Sequence, residues 1–237
     1  NSRYILDFND FEKNPLMKSD GINEIKTLSD ITGVQVKTIC ADYFMEAPLH
    51  SEEQSLVKKS QQVMMKLLEN AYSLGVTDIV IPCVDQSTLD SEKASNCFVE
   101  NLSPMLEFAE RYKINFSLET DLAPQRFSEL LDKFNSNRVM VNYDIGNSAS
   151  MGYDPLEELE AYGKMISDIH IKDRILGGAS VVLGEGDADF ELFFKNLKKY
   201  NYEGPFIMQS YRDNEGINIF NEQFKWIKEI MKKVDYV

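Results

Sequence analysis

Seven short runs rich in β-branched and aromatic residues, each followed by a longer stretch of helical period, limit how this chain can fold more than any other feature of it. The runs are RYILDF (3–8), VQVKTIC (34–40), TDIVIPCV (77–84), INFSLET (114–120), RVMVNYD (138–144), ISDIHIK (166–172) and PFIMQSY (205–211). The helical stretches lie around 21–31, 52–74, 92–112, 125–135, 155–164, 188–200 and 217–233. Their starts carry local signals. Ser51 with Gln54 has the spacing of a capping box, and Asp154 ahead of Pro155 offers an N-cap acceptor before a first-turn proline. In the last stretch Phe220, Phe224, Ile227 and Met231 share a face, which assigns Trp226 to packing.

Strand and helix in regular alternation make βα units, and such units assemble on a parallel sheet. No linker rich in Pro, Gly or Ser and no low-complexity segment interrupts the 237 residues, so a single domain over 1–237 is expected. A (β/α)₈ barrel takes ~250 residues, and one more strand and helix, ~30–40 residues, would bring this chain near that size. The expected fold is therefore an α/β TIM barrel lacking its first βα unit, in a sequence that does not open on Met. The competing architecture is an open doubly wound sheet. Against it, no GxGxxG follows any of the runs, and four successive runs end in polar residues.

Composition narrows the partners. With 39 acidic and 25 basic residues the formal charge is −14, which opposes a nucleic-acid backbone or an anionic lipid surface. A small molecule is the expected partner, with no nucleic acid and no membrane, and a homo-oligomer is left open. Cys40, Cys83 and Cys97 lie far apart and form no CxxC pair, so neither a disulfide framework nor a thiolate zinc site is indicated, and a reducing cytoplasm fits. No stretch approaches the ~18–20 apolar residues of a membrane span, and no basic-then-apolar leader opens the sequence.

Side chains alternate faces along a strand. In INFSLET, Phe116 and Leu118 share one face while Ser117 and Glu119 share the other. The same division sets Val139, Val141 and Tyr143 against Asn142 and Asp144, Ile169 and Ile171 against His170, and Phe206 and Met208 against Ile207 and Gln209. In a barrel the first set faces the helices and the second the interior, so Glu119, Asp144, His170 and Gln209 would converge at the C-terminal mouth. Two carboxylates, an imidazole and an amide oxygen form a mixed N/O set suited to Mn²⁺, Mg²⁺, Co²⁺ or Zn²⁺. Each residue alone is also accounted for by hydrogen bonding at a barrel rim. Their recurrence at equivalent positions on successive strands favours the metal.

YDIGN (143–147), HIKD (170–173), GEGDADF (184–190) and GPFIMQSY (204–211) resemble, in order and spacing, the sugar phosphate isomerase/epimerase superfamily of xylose isomerase-like barrels. The likeness is nearest to L-ribulose-5-phosphate 3-epimerase and hexulose-6-phosphate isomerase-like proteins and strongest over residues 114–211. The resemblance implies a sugar or sugar-phosphate isomerase/epimerase of carbohydrate metabolism, working by proton abstraction next to a carbonyl through a cis-enediolate. It also implies a divalent metal held by Glu119, Asp144, His170 and position 209, with the carboxylates at 119 and 209 moving the proton. Position 209 is Gln here. An amide keeps an oxygen for a metal but cannot take and return a proton near neutral pH. Epimerisation needs an acid/base group on each face of the carbon, whereas isomerisation on one face needs a single base, a role open to Glu119 alone. Two alternatives stand beside this: a sugar-binding relative with lost or altered catalysis, and an abasic-site endonuclease-like metal hydrolase. Two histidines and a charge of −14 speak against the second.

Substrate contacts are expected from Asn147, Lys172, Arg174 and Glu185. Lys172 shares its strand face with His170, and the planar fork of Arg174 suits a hydroxyl or phosphate. Lys172 is equally a solvated rim residue by type, and the glycines beside Glu185 serve the backbone whatever that side chain does. Asp42, Tyr43 and Asp85 follow strands and are candidates for the mouth, while His50 reads as a surface residue.

Overall fold

The computed structural model describes residues 2–212 and 216–236. The chain divides into two compact units, one of Asn1–Leu122 with Glu129–Val141, the other of Ala123–Ser128 with Asn142–Val237. All seven expected strands form, with ends shifted by a few residues at most.

In the first unit β1 (Ser2–Ile5), β2 (Val36–Cys40), β3 (Asp78–Cys83) and β4 (Asn115–Thr120) lie side by side in parallel, with Ile5 opposite Cys40, Cys40 opposite Val80 and Ile81 opposite Leu118. The opening residues of β5 (Val139–Asp144) extend the row, Val141 opposite Leu118. Every residue of β3 is buried, as befits a parallel strand covered on both faces. The connections are α1 (Ser19–Thr32), α2 (Tyr43–Glu46), α3 (Gln54–Leu74), α4 (Glu92–Leu102) and α5 (Leu106–Tyr112). The stretch expected as one helix over 92–112 is two, because Pro104 has no N–H to carry the ladder through the intervening 3₁₀ turn. The capping box expected at Ser51 and Gln54 does not form. Glu53 is the N-cap residue of α3, and Ser51 Oγ accepts from the Glu53 N–H at 3.2 Å instead. Next in the chain comes α6 (Pro124–Asp132).

In the second unit β6 (Ile166–Ile171) and β9 (Phe206–Met208) pair in parallel with His170 opposite Ile207. Between them lies a hairpin absent from the sequence reading, β7 (Asp173–Arg174) and β8 (Ser180–Val181), paired antiparallel. The helices are α7 (Ile145–Met151), α8 (Pro155–Tyr162), α9 (Phe190–Leu197) and α10 (Ile217–Lys233). The expected cap of α8 is present, Asp154 Oδ1 accepting from the Leu156 N–H at 2.7 Å. In α10 the buried side is Gln223, Ile227 and Met231, whereas Phe224 is 44% exposed, which corrects the expected face. Gln223 takes that inward place because both ends of its amide are satisfied, Nε2 donating to Tyr211 O at 2.9 Å and Oε1 accepting from the Leu183 N–H at 3.1 Å. Trp226 packs as expected, edge-on to Phe190 with centroids 5.4 Å apart. It also covers Gly184, where a Cβ would fall 2.5 Å from the indole and where φ is +91°. Among the described residues no helix is long and apolar enough to cross a membrane.

Candidate functional site

Strand β5 ends in Asp144 and runs straight into α7, so this carboxylate is also the helix N-cap, Oδ1 accepting from the Asn147 N–H at 2.8 Å. Its other oxygen lies 3.8 Å from His170 Nδ1 and 3.5 Å from Lys172 Nζ. Burial pushes the Asp144 carboxyl up, but the His170 imidazole, the Lys172 ammonium and the Asn147 N–H together outweigh it and hold the acid below its usual range. Asp144 is thus kept ionised in a nearly dry position. The glycine of the DIGN turn makes the approach possible, since a Cβ on Gly146 would stand 2.8 Å from Lys172 Cγ.

His170 is fully buried on β6. The Asn142 amide lies 3.2 Å from Nδ1 and pairs with it. Nε2 faces the carboxylate of Asp168, 4.0 Å away and also fully buried. The ring is thus flanked by two buried carboxylates, Asp144 beside Nδ1 and Asp168 beside Nε2.

Lys172 Nζ donates to Asn147 Oδ1 at 3.2 Å, and Arg174 Nη1 donates to the same oxygen at 2.9 Å. The rest of the Arg174 fork holds the hairpin turn, Nε and Nη2 both donating to Gly178 O, at 3.0 and 2.8 Å. Three expected residues, Asp144, Lys172 and Arg174, are therefore joined through Asn147, itself expected, and His170 lies beside Asp144. Gln209 follows β9 on the face of His170, its N–H donating to Ile171 O at 2.9 Å. Glu185 is exposed. Its loop is fixed by a different residue, Asp173, whose fully buried carboxylate accepts from the N–H groups of Gly184, Gly186 and Ala188 at 2.8, 3.0 and 3.2 Å.

Behind Asp144, Glu158 on α8 sits among three hydroxyls. Tyr143 donates to its Oε2 at 2.5 Å, Tyr162 to its Oε1 at 2.7 Å, and Ser148 also to Oε2. Burial raises the Glu158 carboxyl despite the three hydroxyls that lower it. Asp168, Asp173 and Glu158 escaped the sequence reading as working residues. Only the first carried a usable signal, its shared parity with His170 and Lys172 in ISDIHIK.

In the first unit Glu119 is buried near the end of β4, opposite Pro82. Burial, with the Asp121 and Glu119 carboxylates nearby, pushes the Cys83 thiol far up, so it stays protonated and offers no thiolate ligand. Also in this unit, His50 is half-buried, with a buried Nδ1 that has no hydrogen-bond partner among the described residues, against the surface position expected for it. It lines a cavity of about 460 Å³ with Asp90, Lys93 and Cys97.

Parallel βα repeats with acids and an imidazole near the ends of their strands mark the barrel class of enzyme folds. The chain belongs to the xylose isomerase-like TIM barrel family, whose model matches residues 6–230. A full barrel has eight such strands, and the described residues carry seven. An L-ribulose-5-phosphate 3-epimerase, UlaE, of Salmonella paratyphi A is 26% identical over 216 residues, 87% of this chain and 76% of that protein. Among solved structures, a D-tagatose 3-epimerase-like protein matches with a TM-score of 0.78 at 19% identity, covering 99% of this chain and 90% of its own. A xylose isomerase-like TIM barrel protein from Mycobacterium smegmatis in complex with magnesium matches at 0.69 and 16%, covering 92% and 79%. At those identities the two structures speak to the fold.

Proposed function

We propose that this protein is a divalent-metal-dependent sugar or sugar-phosphate isomerase, with Glu119, Asp144, His170 and Gln209 as the metal-binding set and Glu119 as the proton-transfer group. The observation that carries the reading is the donor set: Glu119, Asp144 and His170 are all buried and supply two carboxylates and an imidazole, the ligand types a divalent ion takes. The fit is supported by an Asp144 kept ionised, an imidazole set beside it and a Cys83 thiol kept neutral. That chemistry suits a hard or borderline ion such as Mg²⁺, Mn²⁺, Co²⁺ or Zn²⁺.

When bound, the ion would supply Lewis acidity to a ketose carbonyl and its neighbouring hydroxyl, acidifying the C–H of the hydroxyl-bearing carbon. Glu119 takes that proton and returns it, on the same face, to the former carbonyl carbon, while the hydroxyl proton passes to the former carbonyl oxygen, so the carbonyl and hydroxyl exchange places. Gln209 offers an oxygen and no proton, so single-face isomerisation is favoured over 3-epimerisation. Lys172 and Arg174, held by Asn147, orient the far end of the substrate. The curated relative acts on a phosphorylated ketopentose by its name, and a ketose or ketose phosphate is the substrate class proposed for this chain.

The test follows solvent deuterium into ketoses and their phosphates with each of the four ions, beside calorimetric metal titration of the parent and His170→Ala. Exchange that depends on the ion, and weaker metal binding by a folded His170→Ala, are expected. Unchanged metal affinity in that variant, or no exchange into any ketose, refutes the assignment.

A further inference from the structure

Two cations sharing one neutral acceptor is an arrangement that packing alone does not favour. Lys172 Nζ and Arg174 Nη1 both donate to Asn147 Oδ1, at 3.2 and 2.9 Å, so two positive charges are drawn together across a single amide oxygen. In a chain with 39 acidic residues, a carboxylate at this position would have been the simpler partner. Arg174 has no ion pair among the described residues, and Lys172 has one, with Asp144, a carboxylate already engaged by His170 and the Asn147 N–H. The pair is under-neutralised where it stands.

We propose that Lys172 and Arg174, spaced by Asn147, form an anion subsite that takes the phosphate of a phosphorylated ketose. The proposal rests on the function proposed above for its sugar, but its charge geometry is independent of the metal. The guanidinium is fixed before any ligand arrives, because Nε and Nη2 both hold Gly178 O. Of its five hydrogens, three are spent on Gly178 and Asn147, which leaves two for a phosphate oxygen. Lys172, with three, spends one on Asn147 and one on Asp144. Its side chain is 18% exposed and Arg174 is half-buried, so both are partly desolvated, where a charged hydrogen bond gains strength.

Position suits the assignment as well. Lys172 lies 3.5 Å from Asp144, and Asn147, bonded to Asp144 through its N–H, ties both Lys172 and Arg174 to that carboxylate, so the two cations adjoin the proposed metal-binding set. A ketose reacting beside Asp144 would have both cations within reach of its far end. Asn147 is then a positioning residue that keeps the two cations apart at a fixed spacing.

The experiment uses chelator-treated, metal-free protein titrated with inorganic phosphate against chloride at constant ionic strength, followed by ³¹P linewidth and calorimetry. The parent should bind phosphate, and Lys172→Met and Arg174→Gln should each weaken it by roughly tenfold or more. Near-UV circular dichroism confirms the fold of each variant, and Lys172→Met, which leaves the Gly178 contacts intact, carries the test if Arg174→Gln fails to fold. A second arm compares kcat/KM for L-ribulose 5-phosphate and L-ribulose in the metal-loaded protein. The preference for the phosphate ester should fall by roughly tenfold in Lys172→Met. Phosphate binding that is lost in the variants upholds the subsite even if no ketose turns over, an outcome that would refute the proposed reaction alone. No phosphate binding by the parent, or equal binding by the folded variants, overturns the subsite, and turnover of unphosphorylated ketoses would then leave the proposed reaction standing.

Discussion

Replacing Asp173 tests how the hairpin and the loop after it are held. This carboxylate is fully buried and accepts three backbone hydrogen bonds, from Gly184, Gly186 and Ala188. Gly186 is close enough that a Cβ there would fall 2.2 Å from Asp173 Oδ1. A hydrogen bond to a charged group contributes ~1.5–3 kcal/mol. Gly186 and Ala188 are only half-buried, so water recovers part of the loss when the acceptor is deleted. For Asp173→Ala the net cost then falls below the lower end of the three-bond sum, to about 3–4 kcal/mol, and for Asp173→Asn, which keeps one acceptor oxygen, to about 2 kcal/mol. Trp226 is the single tryptophan and lies against Gly184, so its fluorescence reports on this loop directly. Urea titrations followed by that signal should show the order Ala below Asn below parent, with native emission of the Ala variant already shifted to the red. A loss under about 1 kcal/mol with unchanged native emission would refute the argument, because the loop would then be held by contacts other than this carboxylate.

Glu158 predicts a pH dependence. Its carboxyl is raised from 4.5 in the fold, first by burial, so the folded protein binds this proton more tightly than the unfolded chain does. The acid therefore makes the protein lose stability as pH rises from the unfolded value through the folded one, and Glu158→Gln should flatten that decline in urea midpoints; equal slopes would contradict it. Gln209→Glu should raise 3-epimerisation of a ketose by restoring a second carboxylate, within the ~10²–10⁴-fold that acid–base groups contribute, while Glu119→Gln should abolish turnover. Rapid inversion at C3 by the parent, seen by NMR, would place the second base elsewhere. Gly146→Ala should cost about 1–3 kcal/mol by overpacking, since the added methyl meets Lys172 Cγ at 2.8 Å; a neutral result in thermal denaturation would show that α7 can shift.

Strand identity was legible because period-two alternation and buried apolar runs are properties of local sequence. That is how Glu119, Asp144, His170 and Gln209 came to be singled out together. What the sequence left hidden depends on residues meeting across distance. Asp173 reads as one more charge in HIKDR until the loop at 184–188 closes over it, and Glu158 reads as an exposed helix acid until Tyr143 and Ser148 arrive from β5 and α7. The helix α7 was missed for a related reason: GNSAS looks like turn sequence, and Asp144 serves as strand end and N-cap at once. Gln223 in place of Phe224 on the inner side of α10 shows the same limit, since a polar residue turns inward only where partners for its amide exist.

The alternation of side chains at Lys172, Asp173 and Arg174 has a consequence for how such a protein diversifies. Two neighbours of Asp173 reach Asn147, while Asp173 itself ties down the glycine loop. Much of the attachment of that loop therefore passes through one side chain that makes no hydrogen bond to Asp144 or His170, and the turn at 175–179 is held through its own backbone groups, Gly178 O by Arg174 and the Leu176 N–H by Asp187. Insertions or exchanges in the turn can accumulate while the acid and imidazole behind it stay fixed. Selection can thus alter which molecules are accepted without renegotiating the chemistry performed on them.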